Sequence, residues 1–177
     1  MTTIARTYGS WLLLAVLIAV AVGCADDQIV TPGPGDSPTS PIVVRLVPGQ
    51  ASYGVGERVT AEVLVENAVN VASVAFHLRY NPEALEYVSA EEGAFLGDDG
   101  ADTVFLFSPA NDGELVGGMS RVGNDSGASG AGLLAIFEFT AVDSGDCGFS
   151  FTGASIKNPH AQSLPSVWET IPVVVEQ

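Results

Sequence analysis

Positive charge is scarce in this chain. Against 21 acidic residues stand 6 lysines and arginines, for a formal net charge of -15 over 177 residues. Arg6, Arg45, Arg58, Arg79, Arg121 and Lys157 are scattered singly. They form no basic footprint for a nucleic-acid backbone or an anionic lipid surface. The 2 cysteines and 2 histidines are too few for a structural zinc site and offer no convincing thiol–imidazole pair. No Gly-x-Ser-x-Gly, His-Glu-x-x-His or phosphate-loop pattern occurs. His77 reads as a strand-face side chain and His160 as a loop residue. Carboxylates are plentiful, but so many will place some pair about 5 to 10 Å apart by accident, and a glycosidase reading gains nothing from them. No catalytic residue is expected.

Aromatics are also few, at 8%. Phe76, Tyr80, Phe137, Phe139, Phe149 and Phe151 fall on expected inward positions. Tyr53, Tyr87, Phe95 and Trp168 remain, too scattered for a flat carbohydrate platform. The segments Gly97-Asp98-Asp99-Gly100-Ala101-Asp102 and Asn111-Asp112-Gly113 hold oxygen ligands but lack the calcium-loop spacing, and read as solvated turns. No metal and no cofactor are expected.

What the chain has is 47% hydrophobic residues, 20 Gly and 10 Pro with only 15% charge, a composition that suits short strands joined by turns. The one long apolar run, Trp11 to Val22, is shorter than the roughly 20 residues a membrane span needs and fits the core of a signal peptide. It leads into Ala21-Val22-Gly23-Cys24, which resembles a bacterial lipoprotein cleavage box, although Ala21 stands where a larger aliphatic is usual. Residues 1–23 are expected to be a signal peptide and Cys24 the lipidated N-terminus. The chain is then exported and held on the bacterial cell envelope, its lipid the only membrane contact; ordinary cleavage and secretion is the alternative. Residues 24–41 follow as a tether, in which Thr31 to Pro41 is a Pro/Gly-rich spacer without an apolar side chain able to seed a core. Cys147 is left without an intrachain partner, and its apolar surroundings predict a buried, inert thiol.

Residues 42–177 are expected to form one folded domain. Period-two alternation is clear in Arg58 to Glu66 and in Val71 to Tyr80. Further strands are expected at Ile42 to Val47, Leu85 to Ser89, Thr103 to Phe107, Glu114 to Val122, Leu133 to Ala141, Phe149 to Ile156 and Val167 to Val175. About nine strands without a helical period predict an all-β antiparallel sandwich. Pro172 marks an edge or bulge in the last run.

Three stretches, Gly54-Val55-Gly56-Glu57-Arg58-Val59, Phe76 to Glu86 with its Tyr80-Asn81-Pro82-Glu83-Ala84-Leu85-Glu86, and Glu91 to Gly97, are similar to the first half of a cohesin domain. Ser120-Arg121, Gly132 to Phe139 and Ile171-Pro172-Val173 resemble its second half. The resemblance implies a nine-stranded jelly roll of the cellulose-binding-module superfamily. It also implies a non-catalytic role, holding a dockerin-bearing protein and contributing to polysaccharide breakdown. The alternative is a carbohydrate-binding module that takes polysaccharide directly. The resemblance places the docking face on the strand Val71 to Tyr80, where the family often carries Asn and Asp two apart; Ser73 and Ala75 stand there in this chain. The expected partner face is Ser73, Ala75, His77 and Arg79 together with Ile136, Glu138 and Thr140, all on one sheet, with Ile136 near Ala75 as its apolar centre.

Overall fold

The described residues form twelve strands, the longer of them where apolar residues alternate: β1 (Ile42–Pro48), β2 (Ser52–Gly54), β3 (Arg58–Val71), β4 (Ser73–Arg79), β5 (Leu85–Glu92), β6 (Thr103–Asn111), β7 (Glu114–Arg121), β8 (Ala128–Ala141), β9 (Gly145–Asp146), β10 (Ser150–Lys157), β11 (Ser166–Thr170) and β12 (Val174–Glu176). The structure is a computed structural model that describes residues 40–177 apart from 112, 124 and 125. The expected signal peptide, Cys24 and nearly all of the tether lie outside the described residues.

The strands form a five-stranded sheet in the order β11-β1-β3-β8-β5, a four-stranded sheet β10-β4-β7-β6, and a small sheet β2-β12-β9. Pairing is antiparallel except for β1 with β11 and β2 with β12. The alternation read in the sequence is what packs the two large sheets. Val59, Ala61, Val63 and Val65 of β3 and Val74, Phe76 and Leu78 of β4 are all buried. On β8 a bulge inserts Leu134 between the partners of Val63 and Leu64, so that Leu134 and Ala135 are both buried. Phe76 sits at the middle of the core. Its ring lies 4.8 Å from Phe107, 6.1 Å from Phe137, 5.2 Å from Phe151 and 5.6 Å from Trp168. Four strands from both large sheets thus converge on one side chain by tilted and edge-on ring packing.

Three expectations need correction. The run Val167 to Val175 is not one strand. Pro172 cannot donate to a ladder, and the chain leaves the five-stranded sheet there to become β12 of the small sheet. The strand beginning at Arg58 continues to Val71, leaving only Ala72 before β4. Across that residue the chain passes from the five-stranded to the four-stranded sheet. Finally, Ser73 to Arg79 and Ile136 to Thr140 do not share a sheet, because β4 lies in the four-stranded one and β8 in the five-stranded one. Alternation tells inward from outward on each strand, but carries no information on which of two layers the strand joins.

Candidate functional site

Cross-strand register assembles the outer face of the four-stranded sheet. Because Phe76 and Leu78 point inward, their neighbours Ser73, Ala75, His77 and Arg79 face out. Directly beside them on β7 stand Ser120, Gly118, Val116 and Glu114. Next on β6 are Val104, Leu106, Ser108 and Asn111. On the other flank β10 contributes Lys157, Ser155, Thr152 and Ser150. The middle of the face is built from small or apolar groups, Ala75, Gly118 and Leu106 in one row, with Val104 and Val116 on either side. Leu106 is 68% and Val104 55% exposed. Hydroxyls and a few charges form the rim, an arrangement suited to a protein interface.

Local chemistry keeps this floor flat. Gly117 points to the core between Phe76 and Phe107, and a Cβ there would collide with the Leu106 carbonyl oxygen. Glycine is required for β6 and β7 to lie this close. On β10 the register shifts between Thr152 and Ser155. Gly153 takes a left-handed φ of 58° there, and a Cβ on it would come within 3.2 Å of the His77 ring. The bulge therefore lays bare backbone over the imidazole.

One end of the face is charged. Glu114 Oε1 accepts from Arg79 Nε at 3.3 Å and lies 3.3 Å from His77 Nδ1, while Asn111 Nδ2 donates to Glu114 Oε2 at 3.3 Å. The Asn111 hydrogen bond, followed by those from Arg79 and His77, holds the Glu114 carboxyl below the usual carboxylate range. The other end carries Lys157, the only lysine of the chain.

The outer face of the five-stranded sheet is of another kind. Ile136 lies between Glu62 on β3 and Glu91 on β5. Glu138 accepts from Arg58 at 3.0 Å and from Ser89 Oγ at 3.1 Å, and Thr140 is paired with Arg58 and Glu86. Glu66 and Glu169 flank Arg45 at 3.1 and 3.0 Å. Ile136, Glu138 and Thr140 therefore do point outward, but on the opposite side of the sandwich from Ala75. They sit among carboxylates that already hold the nearby guanidiniums, so Ile136 is not the apolar centre of the face carrying Ser73, Ala75, His77 and Arg79. Sequence reasoning passed over the residue that does fill that role, Leu106. The signal was there in Val104-Phe105-Leu106-Phe107, where both alternating sets are apolar and one of them must face water.

The remaining candidates are absorbed by structure. Tyr53 and Phe95 are buried, and Tyr87 and Trp168 pack against the core; the aromatic side chains left unassigned by the sequence serve packing rather than a surface platform. In the Gly97 to Asp102 loop, the Asp99 carboxylate is engaged by the Arg121 guanidinium at 2.6 Å and accepts from the Ala101 amide. Cys147 is buried, and burial, with a smaller push from Asp146, raises its thiol to about 11. It stays protonated at neutral pH and is a poor nucleophile, as its apolar neighbours suggested.

Comparison with known proteins places this geometry. A family model described as the cohesin domain matches residues 44–155, well over half of the chain. No curated protein sequence matches it. Among solved structures, a non-cellulosomal cohesin from the archaeon Archaeoglobus fulgidus is 18% identical with a TM-score of 0.64, covering 77% of this chain and 92% of its own. A type II cohesin–X-dockerin complex from Acetivibrio cellulolyticus is 13% identical with a TM-score of 0.65, covering 76% and 99%. A type II cohesin domain from the cellulosome of the same organism is 18% identical with a TM-score of 0.62, covering 76% and 95%. At these identities the likeness is one of fold.

Proposed function

Because the chain belongs to the cohesin domain family, we propose that it is a binding module which holds a dockerin-bearing protein against the outer face of its four-stranded sheet. The observation that carries this reading is the row Ala75, Gly118 and Leu106, an apolar floor with a hydroxyl-rich rim on a molecule that is otherwise strongly acidic. The cohesin of the Acetivibrio complex is itself bound to an X-dockerin partner, which supports a partner of that type. Where relatives often carry Asn and Asp, this chain has Ser73 and Ala75, so no carboxylate sits at the centre of the face. Recognition then rests on apolar burial at Ala75, Gly118 and Leu106, and polar contacts fall to Arg79, Glu114, His77 and Lys157 at the two ends. The module acts by binding; any contribution to polysaccharide breakdown comes from enzymes that its partner carries.

Ala75→Arg places a long cation over the centre of this face without disturbing the core. It is expected to cost about 2 kcal/mol or more of binding to a dockerin-bearing protein of the same organism, roughly thirtyfold in affinity by calorimetry. Ile136→Asp, on the opposite side, is expected to leave affinity unchanged. The reverse pattern would place the partner on the five-stranded sheet and end this reading.

We further propose that the module works outside the cytoplasm, exported by residues 1–23 and anchored through lipid on Cys24, with the Thr31 to Pro41 spacer holding it off the envelope. The Trp11 to Val22 run and the small residues before Cys24 support this. On cell fractionation the wild-type chain is expected with the membranes and Cys24→Ser in the soluble fraction; equal partitioning would remove the anchor from the account.

A further inference from the structure

We propose that two copies of this chain join edge to edge through β6, antiparallel about a two-fold axis, so that their four-stranded sheets become one continuous sheet. The inference starts from the four strands that end the two large sheets; among the described residues, β5, β11 and β6 have no ladder partner on their outer side, while β10 is met there by Ser163 and Leu164. Three of those edges carry the usual protections. β5 holds Glu86, Glu91 and Glu92. β11 holds Glu169 and lies between Pro165 and Pro172. β10 is bulged at Gly153 and carries Lys157. β6, Thr103–Asn111, has no charged residue at all. Pro109 and the irregularity that follows it blunt only its far end, leaving Thr103 to Ser108 as an uncharged edge that no described strand pairs.

Charge selects the occupant. Two molecules of net charge -15 repel one another through the carboxylate-rich five-stranded face and through the β5 edge. At β6 no like charges meet. The sequence there is also complementary to itself when reversed. With Phe105 opposite Phe105 of the partner subunit, Val104 falls opposite Leu106 of the partner subunit on the outer face. Thr103 falls opposite Phe107 of the partner subunit on the inner one. Val104, Phe105 and Leu106 each then gain a cross-strand apolar neighbour, in the closed isologous geometry that two-fold pairing requires. The result sets two four-stranded outer faces side by side on one sheet, and a partner with two binding segments would gain avidity from it. The pairing stands whether or not those faces hold a dockerin.

The test is made on the chain from Ala25 onward, which keeps the spacer and every strand. Sedimentation over a dilution series is expected to show the mass doubling with concentration. Hydrogen exchange of residues 103–108 is expected to slow in the heavier species. Leu106→Glu, at a position already exposed and so tolerated by the fold, is expected to keep the mass of one chain. Val167→Glu, an equally superficial change on β11, is expected to dimerise like the wild type. A wild type that stays a single chain at every concentration overturns the proposal. So does a dimer in which residues 103–108 exchange at the monomer's rate, and so does a Leu106→Glu variant that still dimerises. Slowing of those amides only when a dockerin-bearing protein is added would assign the edge to that partner and equally overturn self-pairing.

Discussion

Arg121 ties the loop ahead of β6 to the end of β7. Its side chain is only 1% exposed, and it donates from Nη1 to the Leu96 carbonyl at 2.8 Å and from Nη2 to Asp99 at 2.6 Å. The Arg121 hydrogen bond, then the Ala101 amide, hold the Asp99 carboxyl below its ordinary value. A carboxyl whose folded pKa lies below its unfolded one adds stability above the unfolded value, about 3.9. That stability is lost as pH falls through the lower, folded value. Wild-type melting temperature is therefore expected to drop on acidification below about pH 4 more steeply than that of Asp99→Asn, while the variant melts lower at neutral pH. Parallel melting curves across that range would show that the pair contributes nothing. The effect is small, because Asp99 is largely in water and the ion pair is screened. None of this was legible in the sequence, where Asp98-Asp99 reads as a solvated turn. Its partner is 22 positions away, and only the closure of the sandwich brings the two together.

Strands were legible where one flank is apolar and the other wet, as in Val59, Ala61, Val63 and Val65, because a period of two has a single structural meaning. What could not be read was the layer to which each strand belongs. Ala72 alone separates β3 from β4, and nothing in its identity announces that the chain changes sheets there. The residues expected on one face were in consequence divided between two. Ser73, Ala75, His77 and Arg79 do form one surface, whereas Ile136, Glu138 and Thr140 belong to the other side. Short β2 and β9 went unseen, and β12 was merged with β11, because two or three residues are too few to show a period. The role of Gly117 was equally hidden, since its constraint comes from the Leu106 carbonyl of the neighbouring strand. Gly117→Ala is expected to push β6 away from β7 at a cost of about 1 to 3 kcal/mol, the range for overpacking a filled site. Urea unfolding measures it, and an unchanged midpoint would mean that the two strands are not held this closely.

Taken over the whole molecule, charge is divided between the two outer faces. Glu62, Glu66, Glu86, Glu91, Glu138 and Glu169 stand on the five-stranded side, with Arg45 and Arg58 as local counter-ions. The four-stranded side carries Arg79, Lys157, His77 and Glu114 around an apolar floor. A sequence total of -15 shows that the molecule is acidic but not that one side is spared, because the segregation follows from strand order. The acidic side keeps the molecule soluble and repels copies of itself. The apolar middle of the spared side can lose its water to a partner without burying Glu114 unpaired, since that carboxylate at its end already has Asn111 and Arg79 as partners.

Hydrogen-exchange footprinting of the chain with a dockerin-bearing protein tests this division most directly. The account predicts slowed exchange in residues 73–79, 104–108, 114–120 and 150–157, with residues 58–66 and 134–140 unchanged. Protection confined to the latter two segments would contradict it.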